Sequence, residues 1–203
     1  MPFLSLKTRK DEVTVYLPDR SRYDGIEKEV YFMLEECEID IYPIDVLEIA
    51  RRLLYRIIPY STLAIPERLN AMTQSPDGYS GYEMNEDTGM YEYFIYYNDF
   101  MGRQRQRWTI LHEIGHIYLG HHDMDLPYNL AEAEANYFAK YSIAPYPLIN
   151  ITKCEDPWMI SDTFDVSFEA SCYIFKSFQK WKVYGPIEYV PVELQLLQLF
   201  HAA

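Results

Sequence analysis

The sequence predicts an α+β fold that is mostly helical, with a small antiparallel sheet beside one central helix. Apolar side chains recur at helical spacing in several separate segments, which is typical of amphipathic helices. Two β-prone runs, at 78–84 and 90–97, flank a turn that contains Gly89, and this pattern predicts a β-hairpin. No internal repeat or low-complexity linker divides the chain, so residues 1–203 are predicted to form a single domain.

The N-terminal third contains two predicted helices, and residues 12–17 are expected to form a short strand before them. The first helix begins at Ile26, and its apolar residues share one face while glutamates occupy the other. These apolar residues are Ile26, Val30, Met33, Leu34 and Cys37. Pro43 is expected to open the second helix, which extends to Ile57. Residues 61–65 are then predicted to be a strand that ends before Pro66.

The central helix is predicted to begin near Gln104 and to end at Gly120, because glycine is common at helix C-termini. Its apolar residues share one face, which is expected to point into the core. They are Ile110, Leu111, Ile114, Ile117 and Tyr118. Residues 121–127 are predicted to be a loop, and residues 129–142 a second helix that ends before Pro145.

A late helix is predicted over residues 167–182, with Asp165 or Ser167 as its N-cap. Its expected inner face carries Phe168, Ser171, Cys172, Phe175 and Phe178. The tail at 187–200 is apolar enough to dock on the body of the protein or on a partner, and periodicity does not choose between these two alternatives.

The net charge of −13 argues against one class of function. Proteins that bind nucleic acids need a basic face that displaces counterions from phosphates. This chain has 18 Lys and Arg against 31 Asp and Glu, and its basic runs are short. We therefore expect no direct DNA binding. We expect instead that an acidic surface of this kind attracts a basic partner.

Cysteine use and hydropathy point to the interior of the cell. Cys37, Cys154 and Cys172 are far apart and odd in number, which argues against a disulfide framework and suits a reducing compartment. All three are expected to be buried free thiols. The chain shows no signal-peptide pattern and no apolar run long enough to span a bilayer, so a cytoplasmic location without a membrane segment is expected.

Residues 112–116, His-Glu-Ile-Gly-His, form the pattern H-E-x-x-H. Residues four apart lie on the same face of a helix, one turn from each other. His112 and His116 can therefore bind one Zn²⁺, while Glu113 lies beside the metal and acts on its bound water. The alternative is that the pattern arose by chance on a surface helix. Gly115 is unfavourable in a helix relative to alanine, so the close approach of another backbone is expected there.

A catalytic zinc needs a third protein ligand and an open position for water. Glu132 and Glu134 lie two residues apart on a predicted helix, so only one of them can face the metal. Asn136 lies on the same helix face as Glu132. Its amide can hydrogen-bond a metal ligand and hold that ligand in place without binding the metal itself. The pattern therefore favours Glu132. Glu134 and the loop residues Asp123 and Asp125 remain as alternatives.

Residues 105–116, 132–139 and 164–170 together resemble the ImmA/IrrE family of cytoplasmic zinc metallopeptidases. Residues 105–116 are similar to the family pattern R-x-R-F-T-x-A-H-E-L-G-H, and residues 132–139 follow its E-x-E-A-N-x-F-A. Residues 164–170 are similar to F-x-V-S-x-x-A. The N-terminal extension at 1–40 and the C-terminal tail at 183–203 match nothing in the family pattern, and they are candidates for partner binding.

The resemblance implies a zincin-like peptidase domain in which His112, His116 and Glu132 bind Zn²⁺ and Glu113 is the catalytic base. Proteins of this family are typically encoded beside a helix-turn-helix transcriptional repressor in a mobile element, prophage or stress locus. They cleave that repressor and so relieve repression. By analogy with other zinc peptidases, the strand that ends at Asn98 is expected to bind an extended substrate at a sheet edge.

A different class of function is a zinc-containing regulatory protein that engages a repressor or a toxin partner without cleaving it. Glu113 argues against this alternative, because a purely structural zinc site does not need a carboxylate beside the metal.

Overall fold

The computed structural model describes residues 4–6 and 15–201, and these residues contain nine α-helices and five β-strands. The helices are α1 (Arg20–Glu36), α2 (Val46–Arg52), α3 (Ile65–Gln74), α4 (Arg103–Tyr118), α5 (Tyr128–Ile143), α6 (Tyr146–Ile151), α7 (Pro157–Phe164), α8 (Phe168–Tyr184) and α9 (Pro191–Leu199). The strands are β1 (Leu4–Leu6), β2 (Val15–Leu17), β3 (Arg56–Pro59), β4 (Gly78–Met84) and β5 (Tyr91–Tyr97). The fold is therefore mixed α and β and mostly helical, as predicted.

The predicted hairpin is formed by β4 and β5, which pair antiparallel with Gly78 opposite Tyr97. In the turn between them, Gly89 adopts a positive φ of 67°, a conformation that glycine adopts without steric cost. The Asn85 side chain accepts two backbone hydrogen bonds within the same turn. The sequence pattern therefore located both the strands and their connection.

The prediction of a purely antiparallel sheet is wrong. The larger sheet has the strand order β3–β5–β4, and β3 pairs parallel with β5, with Arg56 opposite Phe94. β5, the strand that ends before Asn98, is consequently central and hydrogen-bonded on both sides. It offers no free edge to a substrate, so that expectation is also wrong. In this sheet the edge strand next to β5 on the hairpin side is β4.

The predicted helix from Pro43 to Ile57 is wrong at both ends. Helix α2 begins at Val46 with Asp45, and not Pro43, at its start, and it ends at Arg52, after which β3 follows. Leu54 has a φ of 61°, and the N–H of Tyr55 bonds to the carbonyl of Ala50 at 2.9 Å. This is a Schellman ending, which usually places glycine in the left-handed position. Because leucine occupies that position here, the sequence pattern contained no stop signal.

The predicted strand at 61–65 is wrong as well. Tyr60–Thr62 form a short 3-10 helix, and α3 begins at Ile65. Pro66 lies in the first turn of α3, where its fixed φ favours helix. The Glu67 side chain accepts a hydrogen bond from the N–H of Ala64 at 3.3 Å. The proline therefore starts a helix instead of ending a strand.

Helices α4 and α5 pack closely against each other in the core. The apolar face of α4 is buried as predicted, with Ile110, Leu111 and Ile114 at most 2% exposed. A Cβ atom added at Gly115 would lie 3.0 Å from the ring of Phe138 on α5. The close neighbour expected at Gly115 is therefore a side chain and not another backbone.

Both ends of the described chain pack on this core. Helix α1 lies against α5 and α9, and its predicted apolar face is buried. The helix begins at Arg20 and not at Ile26 as predicted, because the Asp19 side chain caps it by accepting a hydrogen bond from the N–H of Arg22. Helix α9 buries Leu196 and Leu197, so the tail docks on the body of the protein. Strand β2 begins at Val15, and residues 12–14 of the predicted first strand lie outside the described residues. Within residues 4–6 and 15–201, no helix combines the length and apolar character needed to cross a membrane.

Helix α8 begins one residue after Ser167, whose hydroxyl accepts a hydrogen bond from the N–H of Ala170 at 3.2 Å. Its predicted inner face is partly wrong. Phe168 is 41% exposed and Cys172 is exposed, whereas Ile174 is buried. The buried residues of α8 are Ser171, Ile174 and Phe178, so the prediction is correct for Ser171 and Phe178. The expectation of buried free thiols consequently fails for Cys172 and is correct for the other two cysteines.

Replacing Gly115 by valine should lower the free energy of unfolding by about 1–3 kcal/mol, because the new side chain overpacks the contact with Phe138. Gly25→Ala is the control, since a Cβ atom at this position within α1 meets nothing within 4 Å. That substitution should raise stability by about 0.5–1 kcal/mol. Denaturant unfolding compares the three chains. A Gly115→Val protein as stable as its parent would contradict the close packing of α4 and α5.

Candidate active site

Two arginines fix the position of the helix that carries the H-E-x-x-H pattern. Arg105 makes a bidentate pair with Asp77, just before β4, at 3.0 and 2.6 Å. The buried Arg107 donates hydrogen bonds to the carbonyls of Ile44 at 3.0 Å and Phe164 at 3.2 Å. Helix α4 is thereby tied to β4 on one side and to the segments before α2 and after α7 on the other.

His112 and His116 project from one face of α4, one helical turn apart. Their Nε2 atoms lie 3.1 Å from each other, and their ring centroids lie 4.7 Å apart. Each side chain is 14% exposed, so both rings line a cleft instead of projecting from an open surface. The two nitrogens can therefore serve one common ligand.

The third member of this cluster is Glu132 on α5. Its Oε2 lies 3.5 Å from Nε2 of His112, and its Oε1 lies 3.3 Å from Nε2 of His116. The three ligand atoms all lie within 4.8 Å of one another. Two imidazole nitrogens and one carboxylate oxygen form the donor set of a catalytic zinc site. The side chains present thus fit a zinc ion that keeps one position open.

The electrostatics of the cluster follow from these contacts. Hydrogen bonds with His112 and His116 hold the pKa of Glu132 well below its ordinary value, although burial acts in the opposite direction. Burial lowers the pKa of His112, but the hydrogen bond with Glu132 and the nearby carboxylates raise it more. The carboxylate is therefore ionised at neutral pH, as a metal ligand must be.

The alternative ligands lie elsewhere. Glu134 is buried away from the cleft and pairs with Arg22 and His121. Asp123 is exposed and accepts a hydrogen bond from the hydroxyl of Tyr82 at 3.2 Å. Asp125 is exposed in the same loop. Among the side chains from residue 18 to residue 201, the cluster of His112, His116 and Glu132 is the one group that brings three such ligands together.

Glu113 lies beside this cluster and is only 7% exposed. Its Oε2 accepts a hydrogen bond of 2.7 Å from the hydroxyl of Ser80 on β4. The Ser80 oxygen also lies 3.2 Å from Nε2 of His122. Sequence reasoning missed Ser80, because nothing in the local pattern indicates that the middle of β4 faces the second residue of the H-E-x-x-H pattern.

Asn136 lies one turn beyond Glu132 on α5 and lines the same cleft as His112. It thus occupies the place predicted for it, next to a candidate ligand. The cluster opens into a cleft of about 640 Å³ whose walls include Tyr79, Ser80, His122 and Tyr128. A second cleft of about 930 Å³ adjoins it and shares Asn136 among its lining residues. The site therefore has room for an extended ligand.

Comparison with models of known protein families gives a match. The family model Peptidase_M78, described as the IrrE N-terminal-like domain, matches residues 62–176. This range includes β4, β5, α4 and α5, and so all the residues of the cluster. No curated protein and no solved structure gives a significant match.

Replacing Glu132 by alanine should reduce zinc affinity by at least about 100-fold. Loss of a residue that only hydrogen-bonds a metal ligand already costs about 10–100-fold in affinity. Asp123→Asn is the matched control and should leave the affinity unchanged. Competition with a chromophoric chelator measures both values. The opposite ranking of the two variants would assign the third ligand to the loop.

Proposed function

Because the chain belongs to the Peptidase_M78 family of IrrE N-terminal-like domains, we propose that it is a zinc-dependent endopeptidase with a zincin-like active site. One observation carries the proposal: His112, His116 and Glu132 converge at the wall of a cleft. Glu113 lies beside them, on the helix that carries the two histidines. A purely structural zinc site has four protein ligands. The set of three ligand side chains supports a catalytic site.

The nitrogens Nε2 of His112 and His116 and the carboxylate of Glu132 would hold the metal. When bound, Zn²⁺ lowers the pKa of water and polarises the carbonyl group of the scissile peptide bond. Glu132 also balances part of the positive charge. Asn136 lines the same cleft and would hold a metal ligand in place by hydrogen bonding to it.

Glu113 moves the proton. Its carboxylate accepts a proton from the attacking water and passes it to the nitrogen of the leaving amine, the usual cycle of a general base and acid. The hydrogen bond from Ser80 occupies Oε2 and fixes the direction of the carboxylate. Oε1 is then the oxygen left for the proton, and β4 is the element that orients it.

The substrate peptide binds along β4. This strand is at the sheet edge on the hairpin side, and its residues Gly78, Tyr79 and Ser80 line the cleft. An extended peptide can add to such an edge by main-chain hydrogen bonds. The scissile bond would then pass in front of Glu113 and the histidine pair.

The substrate we propose is a helix-turn-helix transcriptional repressor encoded in the same mobile element, prophage or stress locus. Repressors that bind DNA carry basic surfaces, and the net charge of −13 favours the approach of such a partner. The same charge opposes direct DNA binding by this chain. The free thiols of Cys37, Cys154 and Cys172 suit a reducing, cytoplasmic setting.

Glu113→Gln keeps the size of the side chain and removes the base, so it should retain zinc and reduce cleavage of the neighbouring repressor by at least about 100-fold. Glu155→Gln is the control, because it makes the same chemical change at an exposed residue that lines neither cleft. Electrophoresis of the repressor over time measures the rates.

Equal cleavage by the parent and by Glu113→Gln would exclude Glu113 as the base. A zinc-loaded parent that binds the repressor without cutting it would favour the regulatory binding protein instead.

A further inference from the structure

A series of hydrogen-bonded side chains leads from His116 away from the cleft. Nδ1 of His116 lies 3.0 Å from Nδ1 of His121, and Nε2 of His121 lies 3.1 Å from Oε2 of Glu134. Arg22 on α1 grips the same carboxylate, with hydrogen bonds of 2.7 and 2.6 Å to its two oxygens. The side chains of His121 and Glu134 are 3% and 2% exposed. His116, His121, Glu134 and Arg22 are thus connected in series by hydrogen bonds.

The positions of the protons follow from the partners. The Glu134 carboxylate faces a guanidinium that only donates, so it remains an acceptor. His121 must then donate from Nε2, which leaves its Nδ1 as an acceptor in the neutral ring. His116 must in turn donate from Nδ1. In the neutral ring of His116 this leaves the lone pair on Nε2, the atom that faces His112 and Glu132.

The opposite arrangement would disable the site. If the proton of His116 were on Nε2, that nitrogen would have no lone pair to offer a metal. The hydrogen bond made by one ring nitrogen decides which form is present at the other. Two histidines in contact do not determine the direction by themselves, because either Nδ1 atom can be the donor. The Glu134 carboxylate fixes this direction, because it can only accept a hydrogen bond.

The cost of the arrangement indicates a function beyond stability. Removing a charged group from water is expensive, and buried ion pairs can often be replaced by apolar residues without loss of stability. Glu134 is almost fully buried and carries two different polar partners. A requirement for one direction of hydrogen bonding accounts for retaining a charge at this place.

We propose that His121, Glu134 and Arg22 are positioning residues that hold His116 in the Nδ1–H form, with the Nε2 lone pair aimed at the metal position. The proposal rests on the proposed function in so far as the metal is zinc. It also gives a role to part of the N-terminal extension, because Arg22 lies outside the matched range of residues 62–176.

Nuclear magnetic resonance of the full-length chain tests the proton positions. Long-range ¹H–¹⁵N correlation spectra distinguish the two forms of a neutral histidine, and they can be recorded with and without zinc. We expect His116 to carry its proton on Nδ1 and His121 on Nε2 in both states. A metal-free chain in which Nδ1 of His116 carries no proton, or a proton on Nδ1 of His121 in either state, would overturn the proposal.

The variant His121→Phe keeps a ring of similar size and removes both nitrogens. In this variant His116 should revert to the Nε2–H form that isolated histidine favours, and zinc affinity should fall by about 10–100-fold. His201→Phe is the matched control, because it makes the same chemical change at a histidine that is 82% exposed and lies outside the cleft. Equal zinc affinities in the two variants would overturn the proposal. If His121→Phe does not fold, the spectra of the parent chain decide.

The role of Arg22 is tested by comparing Arg22→Met with Arg20→Met. Arg20 is an exposed arginine two residues away on α1. Without Arg22, Glu134 is free to turn away from His121, so zinc affinity should fall by about tenfold. An affinity equal to that of Arg20→Met would remove Arg22 from the proposal. Failure of the parent to bind zinc, with His116 still protonated on Nδ1, would count against the proposed function alone.

Discussion

The close contact between α4 and α5 is the interaction on which the candidate site depends. The histidine pair belongs to one helix and Glu132 to the other, so the three ligand atoms converge only if the two helix axes approach closely. Gly115, one residue before His116, permits this approach because the ring of Phe138 occupies the space of a side chain. A residue that is unfavourable for the helix itself is thus favourable for the geometry of the site.

The periodicity of α5 gives its two glutamates different surroundings. Residues two apart on a helix point to nearly opposite sides, and Glu132 accordingly lines the cleft while Glu134 is buried beneath it. One carboxylate meets the Nε2 atoms of the histidine pair, and the other reaches His116 from behind through His121. Both ring nitrogens of His116 therefore have a polar neighbour, and Arg22 on α1 binds the buried Glu134 carboxylate.

The sequence predicted what short-range spacing determines. Helix periodicity located α4 and α5, alternation around a glycine turn located the hairpin, and the two-residue separation on α5 singled out Glu132. Exceptions to local rules were missed, such as Leu54 in a left-handed position where glycine is usual. Contacts between distant segments were also missed, because Ser80 meets Glu113 across 33 positions of the chain. No local pattern contains such a pairing, and only the packing of β4 against α4 creates it.

We propose that His112, His116 and Glu132 bind a zinc ion that keeps a position open for catalysis. Anomalous diffraction at the zinc edge, from crystals of the full chain grown with zinc, tests it most directly. The account predicts one strong peak at about 2.0–2.2 Å from Nε2 of His112, Nε2 of His116 and a carboxylate oxygen of Glu132. A peak bound by Glu134 or Asp123, or one closed by a fourth protein ligand, would contradict it.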